Sequence, residues 1–460
     1  MRSSPDGAIS PVDMARSGMC IGCGACATAV SGSRMELDHY GQFKPKGPTE
    51  FFNTRTERMA RICPFSPSAR NEDEIGAVRF PDAPLEDDRL GWFEAAYVGA
   101  VVAQGYRQSG SSGGMVSWVA AELLARGMVD GVVHVLPSTG DRYFRYAISR
   151  TVQDVMRGAK SRYYPVELSA VLDEIREVPG RYAVVGLPCF IKAVHLLRAE
   201  EQVLGERIAY TLGLFCGHMK SARLVESFAW QMDTDIEAVH RTEFRLKDPE
   251  RPANWYTAQV TLKDGEVRQK DWWHLADGDW GAGFFQNSAC NWCDDVMAET
   301  ADISFGDAWV EPHSSDWRGT NVVVVRAPEL YAIVQAGIDQ GLLDLKGFDA
   351  DYVAETQAAG LRQRREGLAY RLSWHKRGIK PRKRFGARRD LPFRRKLIYR
   401  LRFAISAWSH RMFWLARRQH APAIYLGWAR AALGFYHGLA YGRGRTGVLA
   451  RWFGLTDRRG

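Results

Sequence analysis

Ala95-Ala96-Tyr97-Val98-Gly99-Ala100-Val101-Val102-Ala103 is an unbroken apolar run of strand character, and the residues after it decide the fold. Gln108-Ser109-Gly110-Ser111-Ser112-Gly113-Gly114 is a loop of small residues. Met115 to Leu124 then carries a helical pattern that stops at Gly127, and Val129-Asp130-Gly131-Val132-Val133-His134-Val135 reads as the next strand. Strand, loop, helix, strand is the βαβ pattern of an α/β domain. A second unit comes next, with a strand over Arg181–Gly186, a turn at Leu187-Pro188-Cys189 and a helix from Phe190 to Arg198. Ile208 to Phe215 is a further strand, ending at Cys216-Gly217-His218 and leading to a helix from about Ser221 to Met232. Beyond a more β-like stretch (Trp255 to Val267), Asp302 and Asp307 bracket a Gly turn at the end of an apolar strand.

Outward from this α/β body, the eight cysteines divide into two sets of four. Cys20-Ile21-Gly22-Cys23-Gly24-Ala25-Cys26 repeats at two-residue spacing with glycines between, which is the bacterial ferredoxin pattern rather than the paired knuckles of a zinc site. Val30 stands where a close fourth cysteine is expected, so the predicted fourth ligand is Cys63, whose following Pro64 repeats the end of the ferredoxin pattern. Thiolates suit zinc or iron–sulfur centres, and a structural zinc on the same sulfurs is the competing reading. Cys189 and Cys216 each lie just past the end of a strand, where open α/β sheets place ligands, and with Cys290-x-x-Cys293 they complete the second set. A redox-active Cys290–Cys293 pair or a zinc site are the alternatives there; the polar stretch from Ser288 to Asp295 reads as a ligand loop rather than a thioredoxin-type helix start.

The chain's 460 residues allow two or three domains with a sizeable core. No run of about 18 uninterrupted apolar residues marks a transmembrane helix, and Met1 to Asp6 lacks the apolar core of a signal peptide. The expected location is cytoplasmic, where cysteines bind metal more often than they form disulfides. The net charge of +9 is unevenly spread. Residues 371–460 hold 23 Lys and Arg against 2 acids, so residues 1–370 carry about −12. A nucleic-acid partner for the body is therefore not expected.

Taken in order, Cys20-x-x-Cys23-x-x-Cys26, the Ser109–Gly114 loop, Gly186-Leu187-Pro188-Cys189, Leu214-Phe215-Cys216-Gly217, Cys290-x-x-Cys293 and Asp302-Ile303-Ser304-Phe305-Gly306-Asp307 resemble the family of coenzyme F420 hydrogenase/dehydrogenase beta subunits. That family includes the 7-hydroxymethyl chlorophyll a reductases and bacterial members encoded beside polysaccharide genes. The resemblance implies an iron–sulfur flavoenzyme with two 4Fe–4S clusters and FAD, acting on a small metabolite with an electron donor such as ferredoxin or reduced deazaflavin. The chain is expected to divide into a ferredoxin-like segment (1–90), an FAD and iron–sulfur domain (91–370) and a basic helical tail (371–460), the last outside the family pattern. It places Ser111, Ser112, Gly113 and Gly114 near the FAD phosphates, a role that a Gly/Ser loop opening a helix also suits, although an ordinary βα turn has the same look. Lys160, Ser161, Arg162 and Tyr163 form a basic and aromatic stretch suited to flavin or substrate anion, or else a solvated helix end. Asp302 and Asp307 are candidates to hold a ribityl or ribose hydroxyl, with turn capping as the alternative. His218 is the candidate proton donor, with a plain backbone hydrogen bond as its alternative.

The tail turns helical from Leu391. Ile398, Leu401, Ile405, Trp408, Met412 and Leu415 recur at three- and four-residue spacing among arginines, Pro422 breaks the helix, and a second stretch runs from Ile424 to Tyr441. A cationic amphipathic helix with aromatic residues fits an anionic membrane surface, here the inner face, but the same pattern also suits packing on the acidic body or binding RNA. Two other function classes compete with the enzyme: an electron-transfer subunit serving a partner protein, and a zinc protein with a nucleic-acid-binding tail.

Overall fold

The computed structural model describes residues 7–452 apart from 29, 139, 141, 376 and 377; the first six residues and the last eight of the expected tail lie outside the described residues. The elements that build the site are, in chain order, β1 (Ala95–Val101), α1 (Met115–Ala125), β2 (Gly131–Pro137), β3 (Phe144–Ser149), β4 (Tyr182–Gly186), α2 (Pro188–Glu200), β5 (Ile208–Leu214), α3 (Arg223–Gln231), β6 (Val239–Leu246), β7 (Thr257–Leu262) and β8 (Val267–Asp271). They continue with β9 (Ile303–Asp307), β10 (Asn321–Val325), α4 (Pro328–Asp339), β11 (Leu343–Gly347), α5 (Glu366–Trp374), α6 (Phe393–Arg418) and α7 (Pro422–Tyr441).

Eight strands form one sheet in the order β11-β1-β10-β9-β5-β4-β2-β3. Its centre, β9-β5-β4-β2, is parallel, and both flanks are antiparallel, so the α/β body is a mixed sheet. The central strands are buried on both faces, which explains why Val322 to Val325 is an apolar run without alternation. α1 covers one face with Trp118, Val119 and Leu123. α2 starts at a Pro, which has no N–H to leave unpaired there, and is buried from Phe190 to Leu197. Because β1 is antiparallel to β10 and β10 to β9, β1 runs in the same direction as the four central strands. The chain therefore leaves all five strands at one edge of the sheet. β6, β7 and β8 make a separate antiparallel sheet, and Lys247 at the end of β6 reaches this edge to touch the loop after β1.

The tail is a helical hairpin broken at Pro422, and α7 ends at Gly442 in the left-handed conformation. One side of it belongs to the main core: Ile405, Phe413, Ala416, Tyr425, Ala429 and Tyr436 are buried. The ring of Phe285 lies 5.4 Å from that of Phe413 and 5.3 Å from that of Tyr425. Ser409 Oγ accepts from the Phe285 N–H at 2.9 Å, and Tyr425 Oη donates to Asp277 Oδ2 at 2.8 Å. Of the apolar stripe read from the sequence, Ile398 and Ile405 pack on the body, whereas Trp408 and Leu415 remain exposed at 48% and 37%. No helix among the described residues is long and apolar enough to cross a membrane. The division at 90 is bridged by a hairpin pairing Leu85–Asp87 with Gly91–Phe93, and α5 runs through position 370. The three-part division thus stands as a proposal about sequence segments.

Asp277 is fully buried and also accepts from Ser227 and Gln231. Tyr425→Phe leaves one of its oxygens short of a donor and should cost about 1–3 kcal/mol. A lower urea midpoint with unchanged far-ultraviolet circular dichroism is the expected result; an unchanged midpoint would show that the hairpin adds nothing to the core through this contact.

Candidate functional site

The first thiol set forms where the N-terminal loop folds over the body. Cys20, Cys23, Cys26 and Cys63 line one internal cavity, closed by Met14, Met59 and Phe65 among others. The glycines between the cysteines are needed for close approach. Gly22 and Gly24 both have positive φ, and a Cβ on Gly22 would meet the Phe43 carbonyl oxygen at 2.7 Å. The Leu168 N–H donates to the Cys23 carbonyl at 2.9 Å and Lys44 Nζ to the Cys20 carbonyl at 2.8 Å, fixing the loop from both sides. Cys63 caps the helix Glu57–Ile62. Burial pushes the Cys23 thiol up to about 12, and Cys26 and Cys63 rise for the same reason.

The second set gathers at the carboxyl edge of the sheet. Cys189 sits in the first turn of α2, Cys216 follows β5, and Cys290 and Cys293 come from a short helical turn over Ser288–Trp292 and its end. Burial raises the Cys189 thiol, and after burial the groups that act on it are Cys293, Cys216, Cys290 and then Cys23. The two sets are therefore electrostatic neighbours across Cys23 and Cys189. Tyr146, whose hydroxyl donates to the Val185 carbonyl at 3.1 Å, is raised first by burial and then by Cys189 and Cys23. Their loops are also tied together: Ser288 Oγ donates to the Gly18 carbonyl at 2.7 Å. Among the described residues, no three or more His, Cys, Asp or Glu side chains are arranged to hold a single metal ion.

Sequence reading missed the cations of the second set. Arg364 is 2% exposed; Nη1 donates to the Cys290 carbonyl at 2.6 Å, Nη2 donates to the Gly217 carbonyl, and Nε is buried without a partner. Burial opposes its charge, but the thiols of Cys293, Cys290, Cys216 and Cys189 more than offset that, so it is held charged. Lys383 pairs with the buried Asp294 at 2.8 Å nearby. Only the presence of basic residues between 362 and 384 hinted at this.

At the same edge, which open α/β sheets use as a ligand crevice, several predicted residues come together. Ser111 Oγ accepts from the Ser161 N–H at 2.8 Å, and Lys160 pairs with Glu243 at 3.7 Å. Tyr163 packs among Phe244, Trp272 and Trp280, with ring centroids 4.8–5.7 Å apart, while Arg162 lies over Phe144. Asp307 accepts two bonds from Arg245, which lies over Tyr256 and Trp309. Lys247 donates to the carbonyls of Ser112 (3.0 Å) and Arg107. Burial, then Arg107, Lys160 and Arg245, lower Lys247 to about 7, which makes this the most cation-crowded part of the crevice. Arg245 and Lys247 alternate at the end of β6, a signal too short to single out in advance.

Three expectations change. Gly113 and Gly114 are glycines because the protein itself packs there: a Cβ on Gly113 would meet the Gly99 carbonyl at 2.8 Å, and one on Gly114 the Tyr106 backbone at 2.7 Å. The first N–H of α1, on Met115, is already taken by Asn321 Oδ1 at 3.1 Å. Asp302 lies at the amino end of β9, about 17 Å along the strand from Asp307, and its carboxylate is taken up by Thr211 and Arg79. It stabilises the opposite edge and is not part of the crevice. His218 is buried and stacked on Trp280 at 4.3 Å, with Nε2 unpartnered. Burial, then Lys220, Arg402 and Arg364, holds it well below the usual imidazole range, which disfavours the charged form a proton donor needs.

With the geometry in place, the matches to known proteins fall on the same elements. A family model for the N-terminal part of the coenzyme F420 hydrogenase/dehydrogenase beta subunit matches residues 96–173, and one for the C-terminal part of the same protein matches residues 180–351, together more than half of the chain. The chain belongs to this family. The F420-dependent sulfite reductase of Methanocaldococcus jannaschii is 24% identical over 63% of this chain and 42% of its own length, so the chain spans less than half of that relative. A component of the F420H2 dehydrogenase of Methanosarcina mazei is 21% identical over 63% of this chain and 77% of its own. A chain of the F420-reducing NiFe hydrogenase complex from Methanosarcina barkeri shares the fold at a TM-score of 0.50 and 16% identity, covering 65% of this chain and 99% of that one. These named relatives are oxidoreductases or parts of them. Both cysteines of the CxxC pair and both strand-end cysteines lie inside the C-terminal match, while Cys20, Cys23, Cys26, Cys63 and Arg364 lie outside both matches.

Lys247 gives a pH test of the crevice. The unfolded lysine takes up its proton near 10.5 and the folded one only near 7, so the native state loses stability as pH falls from 10.5 to about 7. Lys247→Met should flatten that slope in urea titrations across this interval; an unchanged slope would show that burial and the cationic neighbours do not lower Lys247 in the folded chain.

Proposed function

We propose that the chain carries two 4Fe–4S clusters, one on Cys20, Cys23, Cys26 and Cys63 and one on Cys189, Cys216, Cys290 and Cys293, and passes electrons between them and an FAD in the neighbouring crevice. The observation that carries this reading is the division of eight thiols into two sets, with Cys23 among the thiols that act on Cys189 and the two loops tied by Ser288 and Gly18. The donor chemistry fits: four thiols and no carboxylate or imidazole line the first cavity, and a cavity between sulfurs suits a cluster with one iron behind each sulfur. FAD joins two-electron hydride chemistry to one-electron steps when bound. For FAD, support comes from Lys247, Lys160, Arg107 and Arg245 near Ser111 and Ser161, a basic, hydroxyl-bearing corner in which Lys160, Arg107 and Arg245 are each paired with a carboxylate, Glu243, Asp316 and Asp307. Tyr163, Trp272 and Trp280 offer aromatic faces next to it. The substrate we propose is a small metabolite, in line with family members encoded beside polysaccharide genes.

A second reading is favoured by one observation. The hydrogenase-complex chain is matched over 99% of its length, so the shared fold is that of a component of an assembly. On that reading the chain hands electrons to a partner protein and has no organic substrate of its own. A stable complex with a donor or acceptor protein, and no turnover of free metabolites, would select it.

Anaerobically purified protein should contain about eight irons per chain and one FAD released by acid. Cys63→Ala should lose about half of the iron and leave the second cluster's signal intact. Zinc in place of iron would overturn the reading.

Arg364 supplies a finer test of the second set. A buried, uncompensated positive charge stabilises the more negative, reduced state of a neighbouring cluster. Arg364→Gln should therefore lower the reduction potential of one cluster and leave the other unmoved in a potentiometric titration followed by electron paramagnetic resonance. Equal shifts of both clusters, or of neither, would dissociate Arg364 from the second set.

A further inference from the structure

The outer side of the tail hairpin is used by nothing described above. Between α6 and α7, Leu401, Trp408, Met412, Trp428, Ala431 and Phe435 line an open apolar groove of about 470 Å³. Half of the large apolar side chains exposed among the described residues fall within residues 393–452. In the body they are mostly single valines, which need no explanation. In the hairpin and the short helix after it they include Phe393, Trp408, Trp414, Phe435, Tyr441 and Trp452, the last 82% exposed.

The charge around this surface has one sign. No Asp or Glu occurs between Asp390 and Asp457. Arg400, Arg411 and Arg418 are exposed, and their spacing of eleven and seven residues puts them on one line of α6, although Arg400 Nε also donates to Tyr370 Oη at 2.9 Å at the end nearest the body. Arg411 lies 5.2 Å over the Trp408 ring and Arg418 5.5 Å over that of Trp414. Arg430 is exposed on α7. The Arg411 guanidinium set over Trp408, which lines the apolar groove, puts a charged tip and an apolar body at the same level, as at a lipid headgroup boundary.

We infer that this hairpin is the protein's membrane-facing surface, and that its occupant is the anionic leaflet of a lipid bilayer. The line from Arg400 to Arg418 on α6 is about 27 Å long, and a line of arginines of that length matches a plane of uniform negative charge rather than a local group of acids. The buried side of the hairpin, with Phe413 and Tyr425 on Phe285, couples such a surface rigidly to the loop over Ser288–Trp292 that carries Cys290. The hairpin needs no rearrangement to bind, because the groove and the rim already face outward. The protein then lies on the bilayer without spanning it.

The test uses the full-length chain with vesicles of phosphatidylglycerol and phosphatidylcholine, and with phosphatidylcholine alone. The intact protein should sediment with the anionic vesicles, weakly with the neutral ones, and less at high salt, because the arginine contribution is screened while the apolar one is not. Arg411→Gln with Arg418→Gln should weaken binding to anionic vesicles about tenfold or more. Trp408→Asp with Phe435→Asp should abolish it; all four side chains are exposed, so circular dichroism and melting should be unchanged. Failure to sediment, binding indifferent to lipid charge, or binding kept by both variants would overturn the inference. So would a dimer in light scattering that the Trp408→Asp, Phe435→Asp protein cannot form, since a second copy would then occupy the groove. None of these results bears on the iron or flavin content.

Discussion

Four thiols taken out of water in one place can ionise only if positive charge is brought to them. This fold does that twice, on loops that touch. In the first set, burial raises Cys23, Cys26 and Cys63; Lys192 acts on Cys63 but is paired with Glu72, and Lys44 is held on the Cys20 carbonyl. In the second, Arg364 lies fully buried and its charge acts on all four thiols, while Lys383, which also acts on Cys293, is paired with Asp294. The two sets thus share a ligand chemistry and differ in local charge. A difference of that kind orders the affinity of two centres for an electron, with the cation-backed one the better acceptor.

The direction of the strands makes the rest possible. With five strands running the same way, the loops after β1, β4, β5 and β9 all open on one edge, as ligand sites in open α/β sheets do. Cys189 and Cys216 come from two of those loops and the Ser111–Ser112 stretch from a third, while Asp307 closes the fourth. The small β6-β7-β8 sheet delivers Arg245 and Lys247 to the same edge from a part of the chain that carries no cysteine. The second thiol set and the basic residues are therefore neighbours because of sheet polarity.

Much of this was legible in the residues. The apolar runs at 95–103, 181–186 and 208–215 are strands within two residues at either end, and Pro422 and Gly442 mark the hairpin's turn and its end. The grouping of the cysteines was readable because spacing and position relative to strand ends are local properties. What was not legible depends on contacts between distant segments. Asp302 and Asp307 are five residues apart and look like one motif, yet a strand puts them at opposite edges of the sheet. Gly113 and Gly114 signal close approach correctly, but the approaching atoms are Gly99, Asn321 and Tyr106 of the chain itself. Arg364 comes from a helical segment 71 residues after Cys293, and no local pattern points back to the thiols. The amphipathic stripe of the tail showed that α6 has an apolar side; it could not show that the helix has two, one packed on Phe285 and one open.

The central claim is that two clusters sit close enough, across Cys23 and Cys189, to act as one relay. Electron paramagnetic resonance of the fully reduced, anaerobically purified protein tests this most directly. Two reduced clusters at that separation interact through their spins, so the spectrum should be broadened and split, and Cys63→Ala should simplify it to the signal of a single isolated cluster. Two sharp, independent signals in the intact protein, or a single signal unaffected by Cys63→Ala, would contradict the account.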